Sequence, residues 1–133
     1  MVGYLFHAPV TDFPVALWLT SFFFDLLGWW RPRELYRTMA LWLVGLGLVG
    51  AVAAVGTAYY DYVRLVREGV GTAFLQRHSL HSIFAYTTSV VYLASFLLRI
   101  RAPQSRVIPV LSVAGALLIG ITGFLGGEIR KVM

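Results

Sequence analysis

Three imidazoles, His7, His78 and His81, carry whatever metal or haem chemistry this sequence can perform, because the chain contains no cysteine. His78 and His81 are three residues apart and therefore neighbours on one helical face. Side by side, they cannot take opposite faces of one haem plane. A bis-histidine b-type haem therefore needs one of them together with His7, and Arg77 is the side chain placed to pair with a propionate. A chelated divalent metal can instead use His78 and His81 with His7, and Asp12, Asp61 or Glu128 can add oxygen ligands. The bland alternative is that histidines near a membrane surface serve only as amphipathic anchors reaching toward water. Other chemistries are removed at once. Without cysteine there are no disulfides, thiolate metal sites, cysteine-ligated iron–sulfur clusters or covalent c-type haem. Ser79 beside His78 is no nucleophile–base pair by adjacency alone. Gly45, Gly47, Gly126 and Gly127 lie inside apolar runs as packing features, not phosphate loops.

The elements that must position these groups are membrane helices. Of 133 residues, 59% are hydrophobic and only 13% charged, which marks an integral membrane protein. At roughly 20 residues per span, this length holds one domain, residues 1–133, with four spans and short loops. The expected architecture is an all-α four-helix bundle with spans at 13–30, 38–60, 79–98 and 107–126. Asp12 stands as N-cap of the first, with Pro14 in its opening turn. Trp29 and Trp30 close that span as an aromatic belt, and Pro32 stops it. In the second span, small residues recur at four-residue spacing, Gly47 with Ala51, Gly50 with Ala54 and Ala54 with Ala58, so it is expected at the centre of the bundle. Ser112, Ala116 and Gly120, continued by Gly123 and Gly127, form a similar row in the fourth. Between spans two and three, Val63, Val66, Val70 and Phe74 recur at helical spacing and allow a short interfacial helix, weakened by Gly69 and Gly71.

Charge gives the expected orientation. The net charge of +5 has no basic run behind it, which excludes a nucleic-acid partner and points to membrane topology. Arg31, Arg33 and Arg37 in the first loop, with Arg99, Arg101 and Arg106 in the third, are packed into short connections. That side is expected in the cytoplasm, with both termini outside. His7, Asp12, Tyr59, Tyr60, Asp61, Arg77, His78, His81 and Glu128 then share the outer surface, and ionisable groups clustered at membrane depth suggest a site. Asp25, deep in the first span, is expected to bond to a neighbouring helix or pair with Arg31 or Arg37. A proton relay would need further polar groups, and none is evident across the membrane. No Lys or Arg precedes the first apolar run, so a cleaved signal peptide is not expected.

Several short motifs are shared with a known family. His7 precedes Asp12-Phe13-Pro14-Val15-Ala16-Leu17; Asp25-Leu26-Leu27, Gly56-Thr57-Ala58 with Asp61, and Gly123 with Gly126-Gly127 follow. On these the chain resembles the small bacterial membrane proteins grouped as domain of unknown function 2231. The resemblance implies four membrane helices and a redox association, since members occur joined to or beside electron-carrier domains. It also exposes two departures. Asp12 stands where the family commonly has a second histidine, and Glu128-Ile129-Arg130-Lys131 replaces a histidine-bearing tail. The expectation is a bacterial inner-membrane redox module, non-catalytic, holding haem b and passing electrons to a partner or quinone. Its cofactor ligands would be His7 with His78 or His81, helped by Arg77. The alternatives are a divalent-metal protein using His7, His78, His81, Asp12 and Asp61, or a cofactor-free scaffold subunit. Besides the lipid bilayer, a membrane redox complex or a homo-oligomer is the expected partner.

Overall fold

The structure is a computed structural model that describes residues 9–129 and 131 in full and the backbone alone for His7, Ala8 and Arg130. Four helices follow in order: α1 (His7–Trp30), α2 (Glu34–Arg67), α3 (Thr72–Arg101) and α4 (Val107–Arg130). All four contain a stretch long and apolar enough to cross a membrane. They form a ring in which α1 packs on α2 and α4, and α3 on α4 and α2, with the closest association inside the α1–α2 and α3–α4 hairpins. The α2 helix is therefore one wall of the ring and not its centre.

All four helices outrun the expected spans, α2 and α3 by the most. With 34 residues, α2 is roughly 50 Å long, well beyond a hydrocarbon layer of ~30 Å. The charged stretch 61–77 is thus no separate interfacial helix: it is the end of α2 and the beginning of α3. The turn between them explains why. Gly69 adopts φ 81°, while its N–H bonds to the Val66 carbonyl and the Val70 N–H to the Leu65 carbonyl, both at 3.1 Å. This pair of bonds stops a helix and needs a left-handed residue, which glycine supplies without a Cβ clash. Val70 then packs on the cluster of Leu65, Phe74 and Ile129, so the apolar spacing read from the sequence closes the end of the bundle.

The beginning of α1 also differs from expectation. Its helix already runs from His7, so Asp12 is exposed inside it and caps nothing. Pro14 sits mid-helix, where it removes one backbone bond. Its ring closes on α2, where a Cβ on Gly50 would lie 3.2 Å from Pro14 Cδ.

The bundle centre is aromatic. Trp18 of α1 and Tyr92 of α3 stack across the ring with centroids 4.0 Å apart and planes inclined by 8°. The other two helices make room with glycine. A Cβ on Gly47 would fall 2.2 Å from Trp18 Nε1, and one on Gly115 would fall 2.8 Å from Tyr92 Cζ. The indole N–H donates to the Val44 carbonyl at 3.2 Å. Small residues thus do allow close approach on α2, as its spacing predicts. On α4 the buried stripe is Ile108, Ser112, Gly115, Ile119 and Thr122, not the fourfold row. Gly120, Gly123 and Gly127 have no neighbour within 4 Å of a built Cβ. A strict four-residue repeat drifts around a helix of 3.6 residues per turn, so Ser112 is the one member of that row that is buried, while Gly123 and Gly127 border the cavity described below.

Candidate functional site

Between the Trp18–Tyr92 centre and the Leu65–Phe74–Ile129 cluster lies a cavity of about 420 Å³. Asp12, Asp61, His78 and His81 all line it, so four of the residues singled out by the sequence converge. The geometry arises because α1 and α3 enter the membrane, and α2 and α4 leave it, at the same end. Alanines on α2 (Ala51, Ala54, Ala58) and glycines on α4 (Gly123, Gly126, Gly127) form walls without bulk, leaving space that larger side chains would fill.

The two helix-three histidines have different surroundings. His81 is 8% exposed, and its Nδ1 lies 3.1 Å from the Thr122 carbonyl oxygen. A carbonyl only accepts, so Nδ1–H is the donor, which leaves Nε2 as the nitrogen turned away from α4. The Nδ1–Cε1 edge rests on α4, where Gly126 permits the approach: a Cβ there would sit 3.3 Å from Cε1. His78, one turn earlier, stacks on the rings of Tyr62 at 4.6 Å and Phe74 at 5.6 Å. His78 is thus flanked by two rings, while a hydrogen bond to α4 orients His81. Asp61, 4% exposed, projects from α2 into the same cavity.

Other candidates stand elsewhere. Arg77 donates from a guanidinium N–H to the Glu128 carbonyl at 2.9 Å and lies 3.6 Å from the Glu128 carboxylate, which also accepts from Lys131. It fastens the start of α3 to the end of α4 and does not line the cavity. Tyr59 and Tyr60 are exposed. Tyr86 lines the cavity and Phe84 does not. The side chain of His7 lies outside the described residues. Among the described residues, no three His, Asp or Glu side chains are grouped to hold a metal ion.

The structure adds polar groups that sequence reasoning missed. Thr88 and Thr122 join α3 to α4 through their hydroxyls at 3.1 Å, directly below His81. Further along, Arg99 clamps Asp25 through both guanidinium nitrogens, at 2.9 and 2.6 Å, and donates from Nε to the Ser95 hydroxyl. The Ser112 hydroxyl donates to the same carboxylate. Asp25 therefore bonds to neighbouring helices, one of its two expected roles, and pairs with Arg99 and not with Arg31 or Arg37; Arg31 instead lies over the Trp30 ring at 4.9 Å. Polar side chains do continue across the membrane: His81, Thr88, Tyr92, Ser95 and Arg99 form one stripe on α3. Its spacing of seven, four, three and four is the signal the sequence offered. From His81 to Arg99 the stripe extends roughly 27 Å, close to a hydrocarbon thickness.

Fold and cavity together define a multi-pass membrane protein, a four-helix bundle with a mostly apolar cleft carrying a few polar groups at one end. A family model described as "Predicted membrane protein (DUF2231)" matches residues 3–133, and the chain belongs to that family. No curated protein and no solved structure matches it.

Proposed function

We propose that the protein is a membrane redox module whose cavity holds one b-type haem with His81 as an axial ligand. The observation that supports this reading best is the bond from His81 Nδ1–H to the Thr122 carbonyl. Metal-ligating histidines characteristically donate their second ring nitrogen to a carbonyl or carboxylate, which fixes the ring and raises the basicity of the other nitrogen. The cavity volume of about 420 Å³ lies within the range of roughly 300–1,000 Å³ found for small-molecule and cofactor pockets. Its small-residue walls leave a slot, and Trp18 and Tyr86 line it with rings.

Bound there, haem supplies a one-electron carrier; the chain supplies ligation, orientation and exclusion of water. His7, at the first position of α1 and so at the same end of the bundle, remains the candidate for the opposite face. His78 is the weaker choice because its ring is packed against two others. Arg77 is no longer assigned to a propionate, since Glu128 already engages it. Positive-inside bias of the two arginine-bearing loops puts the cavity and both termini outside the cytoplasm of a bacterial inner membrane. The electron donor and acceptor are a membrane partner or a quinone.

The test is the absorption spectrum of detergent-purified protein, oxidised and reduced, produced with haem available. Soret and reduced-state visible bands at one haem per chain are expected. A colourless preparation overturns the assignment and leaves the cofactor-free subunit as the reading.

A further inference from the structure

A second cavity, of about 670 Å³, opens at the opposite end of the bundle. Its charged lining is Arg33, Arg37, Arg99 and Arg106 against Asp25 and Glu34, four guanidiniums to two carboxylates. Asp25 is taken by Arg99. Glu34 lies 3.7 Å from Arg37 in an exposed pair. Arg33 and Arg106 have no carboxylate within ion-pair distance among the described residues, so the lining carries two uncompensated positive charges. These two arginines are also the residues preceding α2 and α4, and neither caps its helix with a side-chain bond. The positive ends of the α2 and α4 dipoles also lie at this end, although on α4 the Val107 N–H already donates to the Ser105 hydroxyl. Trp29 lines the same cavity, beside Trp30. Such a tryptophan pair marks the headgroup level of a bilayer.

We propose that this cavity binds a phosphate group, presented by an anionic lipid headgroup or as a free anion. Arg33 and Arg106 are its direct partners, and the buried Asp25–Arg99 pair forms the inner wall. A guanidinium offers paired N–H donors that match phosphate oxygens, and basic pockets between membrane helices suit anionic headgroups. The proposal is independent of the haem reading.

The experiment measures the thermal unfolding midpoint of the delipidated full chain in neutral detergent against three probes: short-chain phosphatidylglycerol, short-chain phosphatidylcholine and inorganic phosphate. A saturable rise with phosphatidylglycerol alone identifies the lipid headgroup, and an equal rise with inorganic phosphate identifies the free anion. Arg33→Gln and Arg106→Gln should each weaken the apparent affinity roughly fivefold to tenfold, the double variant should abolish the shift, and Arg101→Gln, outside the cavity, should leave it unchanged. Equal shifts with phosphatidylcholine, no shift with any probe, or wild-type affinity in the double variant overturns the proposal.

Discussion

Replacing Asp25 by alanine should be among the most destabilising single changes in the protein. The Asp25 and Arg99 side chains are only 9% and 7% exposed, and the carboxylate accepts two guanidinium bonds plus one from the Ser112 hydroxyl. Removing the acid leaves a buried guanidinium still donating to the Ser95 hydroxyl but with no carboxylate opposite it. Breaking a buried pair from one side costs about 3–5 kcal/mol, whereas replacing both partners by apolar residues of similar volume is often close to neutral. Asp25→Leu combined with Arg99→Met should therefore recover most of the loss, with a coupling energy of at least ~1.5 kcal/mol. The Glu34–Arg37 pair is the internal contrast: its side chains are 79% and 51% exposed, so Glu34→Ala should change stability by less than ~0.5 kcal/mol. Equilibrium unfolding in mixed micelles, titrated with sodium dodecyl sulfate and read by circular dichroism, measures all of these. Additive single effects, or a loss below ~1 kcal/mol in Asp25→Ala, would show that the clamp does not join α1 to α3.

Three further outcomes follow from the packing. Gly47→Ala places a methyl 2.2 Å from the Trp18 indole nitrogen and should cost roughly 1–3 kcal/mol in the same assay, whereas Gly120→Ala, with open space around it, should be neutral. Tyr92→Phe removes a buried hydroxyl that has no hydrogen-bond partner among the described residues, so stability should stay equal or rise by up to ~1 kcal/mol; a clear loss would mean that the hydroxyl is bonded. Gly69→Ala forces a side chain into a left-handed backbone of φ 81° and should destabilise the α2–α3 turn by about 1 kcal/mol. Faster amide exchange confined to that turn would report it.

The membrane class, the four helices and their alternating direction were legible because apolar length and flanking arginines are properties of the chain alone. So was the gathering of Asp12, Asp61, His78 and His81 at one end, which topology enforces. The helix ends were less legible. Charged residues from Asp61 to Arg77 read as a connection with at most a short interfacial helix, yet a helix leaving the bilayer remains a helix when its far end can pack, as Leu65, Phe74 and Ile129 do. Arg99 looked like a loop residue at the edge of a span. Only the ring arrangement brings it opposite Asp25, 74 positions away. The distinction between His78 and His81 was likewise hidden, since both share a helical face. What separates them is supplied by other helices: Tyr62 against one, the Thr122 carbonyl against the other.

The most direct measurement of the central claim is haem titration into the apoprotein, comparing wild type with His81→Gly, His78→Gly and His81→Gly supplemented with free imidazole. Stoichiometric binding by wild type and the His78 variant, its loss or a shifted spectrum in the His81 variant, and recovery with imidazole are predicted. Wild-type spectra and affinity in His81→Gly would contradict the account.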